Sequence, residues 1–82
     1  MKILPPRPDL ERYLKRHQLV KKWDKQKFLF ENDWKHPSLH SELLEPKDLH
    51  IYSFRGDRKY RAIFVFVDDQ TAEIIDLTSH YQ

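Results

Sequence analysis

At 82 residues the chain has room for one domain and one thin core, because so short a polypeptide buries only about two-thirds of the surface it exposes when unfolded. Cysteine is absent, which removes disulfides and thiolate metal sites, while 34% charged residues and a single glycine suit a folded globular protein and exclude a linker or a low-complexity tail. The net charge of +2 is unevenly spread: residues 1–36 hold ten Lys/Arg against five Asp/Glu, and residues 37–82 hold five against eight.

Residues 1–4 offer a very short edge strand that Pro5-Pro6 cuts off. The opening MKILPPRPDL has no apolar segment of the signal-peptide kind, and no later run approaches membrane-spanning length, so a cytoplasmic protein is expected. Pro8 suits the first turn of a helix, with Asp9 and Glu11 near its positive end. Leu10, Tyr13, Leu14 and His17 then fall on one helical face. A break near residues 17–19 leads into a second helix with an apolar stripe of Leu19, Trp23, Phe30 and Trp34, which Pro37 ends. The usual explanation of the basic excess of this half is the solvated side of the two helices, while a basic patch has a polyanion or an acidic partner segment as its natural ligand.

From His36 to His50 the pattern is irregular, with Leu39, Leu43 and Leu44 expected beneath a sheet edge. Strand periodicity begins at residues 51–55, and Gly56-Asp57 supplies a turn. Residues 60–67 are apolar on both faces beyond Arg61, as in a central strand. Asp68-Asp69-Gln70 makes a second turn, and residues 71–77 form the last strand. The expected class is α+β: two N-terminal helices packed on a three- to four-stranded, largely antiparallel sheet.

Hairpin geometry gathers charge at one end of that sheet. Pairing across the turn at residues 68–70 sets Leu77 near Arg61, so His80 and Tyr81 follow beside Arg61 and the turn that carries Arg55, Arg58 and Lys59. An imidazole can move a proton at neutral pH, a guanidinium can grip a phosphate with two hydrogen bonds, and a tyrosine can stack on a base. That set can cleave RNA without a metal, by attack of a 2′-OH on the adjacent phosphorus. The bland alternatives are cross-strand pairing of Arg61 with Glu73 or Asp76, and a C-terminal His-Tyr that is only surface. His36, His40 and His50 make a poor metal set, with Pro37 between the first two and no thiolate to join them. Arg55-Gly56-Asp57 spells an adhesion tripeptide but reads as a turn.

The stretches HPSLHSELL, YSFRGDRKYRAIFVF and EIIDLTSHYQ, within residues 35–82, resemble the RelE/ParE superfamily of toxins from type II toxin–antitoxin systems. The terminal His-Tyr is most similar to the RelE/YoeB type of ribonuclease. The resemblance implies a single toxin domain over residues 1–82 and a compact sheet with two packed helices. It implies cleavage of messenger RNA in the ribosomal A site, with no cofactor, metal or membrane, and neutralisation by a cognate antitoxin in a hetero-oligomer. By position, Arg61 matches the phosphate-stabilising arginine, His80 the C-terminal general acid or base, Tyr81 its neighbouring tyrosine and Arg55 a second basic position. Glu42 or Glu45 matches the acidic general base, and Lys47, Arg58 and Lys59 match contacts to the RNA backbone. The first strand is shorter here than the family pattern. The ParE branch of the same fold poisons DNA gyrase, which leaves a non-enzymatic inhibitor or an inactive relative as the alternative.

Overall fold

The computed structural model describes residues 1–79; His80 and Tyr81, two of the expected site residues, lie outside the described residues. The chain forms β1 (Lys2–Ile3), α1 (Pro8–Arg16), α2 (Val20–Asn32), β2 (Glu42–Leu43), β3 (Tyr52–Arg55), β4 (Arg61–Asp68) and β5 (Thr71–Thr78), with 3₁₀ turns at Pro37–Leu39 and Lys47–Leu49. The strands make one sheet in the order β1-β5-β4-β3-β2. β1 runs parallel to β5, and the remaining pairs are antiparallel. No helix among the described residues is long and apolar enough to cross a membrane.

α1 begins as expected on Pro8, with Asp9 and Glu11 in its first turn and Lys15 and Arg16 in its last, each charge opposing the local end of the helix dipole. Gln18, at a φ of 58°, turns the chain between the helices. α2 stops at Asn32, short of the limit that Pro37 suggested. Asp33 is extended, and its carboxylate accepts a hydrogen bond from the Lys35 amide at 3.1 Å. That local turn outcompetes another helical turn. Trp34 therefore leaves the helix, yet it still packs edge-on to Tyr52 and Phe66.

Both helices cover one face of the sheet. On β4 that face is Ala62 and Phe64, both fully buried, with Phe66 partly so. Phe30 of α2 is fully buried, with its ring centroid 5.0 Å from that of Phe64 and 5.1 Å from that of Phe54, while Trp23 stacks on Phe54 at 5.9 Å. The sheet also has more strands than the sequence suggested. The extra one is β2, two residues long and paired through Glu42↔Ser53 and Leu43↔Tyr52. Two residues carry no measurable periodicity, which is why this strand could not be read from the pattern. At the opposite edge the Ile3 amide donates to Glu31 Oε2 at 2.9 Å, tying β1 to α2.

Candidate active site

Strand alternation puts Arg61 on the face away from the helices, since its neighbour Ala62 points into the core. Arg61 lies opposite Arg55 on β3 and opposite Thr78 on β5, so β4 is flanked on both sides at the position where it begins. The pairing Ala62↔Leu77 places the last strand within one residue of the register expected from the turn at residues 68–70. Asp68 anchors that turn by accepting the Gln70 amide at 2.8 Å.

The Arg61 side chain is 12% exposed and is held from below. Its Nε and Nη2 donate to Ser53 Oγ at 3.1 and 3.0 Å, and Nη2 also donates to the His40 carbonyl at 2.6 Å. Ser53, on β3, is fully buried, and this pair of bonds gives its hydroxyl a reason to be there. Glu42 Oε1 stands 3.9 Å from Nη2, a loose and half-exposed ion pair of small energetic weight. Among the described residues these partners lie toward β2 and β3, and Glu73 and Asp76 of β5 are not among them.

The HPSLHSE segment is built to deliver one carbonyl. His36 caps the first 3₁₀ turn, its Nδ1 accepting the Ser38 amide at 3.1 Å. Pro37 occupies the first position of that turn, and Leu39 is fully buried as its anchor. His40 then adopts a left-handed conformation, φ 47° and ψ 46°, a region histidine visits more often than most residues. Its carbonyl is thereby turned onto the guanidinium. Ser41 Oγ closes the segment by donating to the Trp34 carbonyl at 2.6 Å. Sequence reasoning missed Ser53 and His40 as site residues. The aromatic-Ser-x-Arg pattern around Ser53 was a signal that could have found the first, whereas a backbone carbonyl leaves no trace in residue types.

The turn between β3 and β4 supplies the other cations. Asp57 shapes it: Oδ1 accepts the amides of Lys59 at 2.7 Å and Tyr60 at 2.9 Å, and Oδ2 pairs with Lys22 of α2 at 3.2 Å. Burial alone would raise the Asp57 carboxyl, but those two amides and the Lys22 ammonium outweigh it and hold the group below its ordinary value of 3.8. With its side chain only 10% exposed, Asp57 is not displayed as an adhesion tripeptide would require. Gly56 is needed for space, not for a positive φ, because a Cβ there would collide with the Tyr60 ring. Gln26 Nε2 donates to the Arg55 carbonyl at 2.7 Å, a second strut from α2 to the turn.

An open cleft of about 640 Å³ results, lined by Arg55, Asp57, Arg58, Lys59, Tyr60, Arg61 and Ser79. Four of these are cations and one is a carboxylate already engaged within the turn. Burial, with Asp57 and Tyr13 nearby, pushes the Tyr60 phenol far above its ordinary value of 10, so Tyr60 is no candidate for proton transfer at neutral pH. Of the expected site residues, the structure gathers Arg55, Arg58, Lys59 and Arg61 around the cleft and sets Glu42 at its inner edge. Lys47 and Glu45 are not brought there. Glu42 pairs with Ser53 and Leu43 with Tyr52, so the chain is moving away from the Arg55 end of β3 before it reaches either residue. Between the two acidic candidates, the geometry favours Glu42. His80 and Tyr81 follow Ser79 in the chain but lie outside the described residues.

The described chain superposes on a chain of the heterotetrameric YoeB–YefM toxin–antitoxin complex from Staphylococcus aureus with a TM-score of 0.68 and 19% sequence identity, covering 98% of this chain and 94% of that one. No protein-family model matches the chain, and no curated protein sequence matches it. The likeness establishes the fold: two helices on one face of a mixed five-stranded sheet, an α+β arrangement shared with that chain.

Proposed function

We propose that the chain is the toxin of a type II toxin–antitoxin pair and acts as an endoribonuclease on messenger RNA, in the ribosomal A site. The observation that carries this reading is Arg61, fixed by Ser53 and the His40 carbonyl on the open face of the sheet, inside a cleft rimmed by Arg55, Arg58 and Lys59. Support for an antitoxin partner comes from the shared fold with a chain of a toxin–antitoxin complex.

In this mechanism the scissile phosphate sits against the Arg61 guanidinium, with Arg55, Arg58 and Lys59 holding the flanking backbone. Glu42 accepts the proton of the 2′-OH, and the freed oxygen attacks the adjacent phosphorus in line. As the new P–O bond forms, the bond to the 5′-oxygen breaks, and His80 delivers a proton to that leaving oxygen. The products are a 2′,3′-cyclic phosphate and a 5′-hydroxyl. Arg61 stabilises the charge that grows on the equatorial oxygens, and the chain's own cations supply what a metal would otherwise provide. Tyr81 orients the phosphate or stacks on the base.

The test is induction of the wild type, Arg61→Ala and His80→Ala in bacterial cells, with cleavage sites mapped in total mRNA. Growth arrest with fragmented mRNA is expected from the wild type alone. Toxicity with intact mRNA, or DNA-damage signalling that survives His80→Ala, would overturn the nuclease in favour of a gyrase-directed or other binding protein.

A further inference from the structure

A second groove, of about 290 Å³, lies on the other side of the β3–β4 turn. Lys22, Lys25 and Gln26 of α2 form one wall, and Arg55, Asp57 and Arg58 form the other. Arg55, Asp57 and Arg58 also line the larger cleft, so the two hollows adjoin and share the turn as a common wall. The lining is four cations against a single carboxylate, and that carboxylate is spent on two turn amides and on Lys22. Lys25 is exposed and, among the described residues, makes no ion pair. A cation kept unpaired beside a groove, with the local carboxylate turned inward, is a site for an anion brought from outside.

We propose that this groove is an extension of the substrate track: single-stranded RNA leaving the cleft crosses the β3–β4 turn and lays its next phosphates along α2, on Lys25 and Arg58. The inference rests on reading the cleft as the place where RNA is held. The chemistry suits RNA backbone over a folded protein ligand. The groove is open and cationic, with no apolar side chain in its lining to serve as the anchor protein interfaces use, and it adjoins the cation-lined cleft. Because the turn is tied to α2 through Lys22–Asp57 and Gln26–Arg55, the two stations sit on one rigid support.

The test uses 2′-O-methyl oligouridylates from a dinucleotide to an octanucleotide, which cannot be cleaved for want of a free 2′-OH. Their binding to the wild type, Lys25→Gln, Lys35→Gln and Arg61→Ala is measured over a range of salt. One lost phosphate contact lowers the slope of log K against log salt by about 0.7, or about fivefold in affinity near 0.1 M salt. Lys25→Gln should show that loss for the octanucleotide and none for the dinucleotide, while Lys35→Gln, on a distant exposed cation, should match the wild type. Equal loss at both lengths, or no loss at either, overturns the extended track. So does a Lys25 dependence seen with oligoglutamate and absent with the octanucleotide, which would assign the groove to an acidic protein segment. Arg61→Ala should weaken both lengths. If it weakens neither while the Lys25 effect persists, the groove stands and the reading of the cleft is what fails.

Discussion

Taking the hydroxyl from Ser53 removes the acceptor of two Arg61 N–H groups in a place that water reaches poorly. The side chain beneath is fully buried and the guanidinium above is 12% exposed. Ser53→Ala should therefore cost about 1–2 kcal/mol of stability, the ordinary penalty for a donor that loses its buried partner. Under the proposed mechanism its larger effect should fall on the chemistry, because a guanidinium free to swing would no longer meet the phosphorus at a fixed angle. RNA cleavage by Ser53→Ala should drop at least tenfold in kcat with a smaller change in KM. Denaturant unfolding together with cleavage kinetics checks both, and an unchanged kcat would mean that the His40 carbonyl and Glu42 suffice to aim Arg61.

Short irregular elements build the site, and two of them can be tested as units. In the β3–β4 turn, Asp57 is held below its ordinary value, so its contribution is fully present above about pH 4 and is lost as pH falls through the folded-state value. Asp57→Asn keeps an oxygen for the Lys59 and Tyr60 amides but gives up the charge facing Lys22. The wild type should be more stable than Asp57→Asn at neutral pH, with the difference closing below pH 4, as urea midpoints measured across that range will show. In the 36–41 segment the anchor is Leu39, fully buried against the sheet. Leu39→Ala should cost about 2–4 kcal/mol through the cavity it leaves. It should also move the His40 carbonyl off Arg61, which amide chemical shifts around residues 38–41 would report.

These segments mark where the sequence was legible and where it was not. The hairpin of β4 and β5 could be read because a short turn sets the register to within a residue, although irregularities between Ile63 and Phe64 and between Phe66 and Asp68 shift it along the way. The start of α1 at Pro8 followed from local punctuation, and the break expected near residues 17–19 falls at Gln18. The end of α2 did not, because the Asp33 side chain diverts the backbone before proline can. Nor did the grip on Arg61, half of which is a carbonyl turned by the left-handed backbone of His40. The convergence of cations on one rim was visible as strand order; what steadies them was written in loop conformation, which spacing does not encode.

For the molecule as a whole, placing both helices on one face leaves the other face of a five-stranded sheet free of helices, and Arg61 stands on that face at one end of the middle strand. The helices nonetheless reach the site from behind, through Lys22 and Gln26, so the packed layer sets the position of the turn that the open layer uses. The sheet is completed by its most distant partners, since Lys2 and Ile3 pair with Thr71 and Ala72. During synthesis, β1 cannot pair until β5 has emerged, and Arg61 arrives before the β5 wall beside it. A chain whose synthesis has reached only β4 thus carries the arginine without that wall, and the cleft takes shape only when β5 folds back onto it.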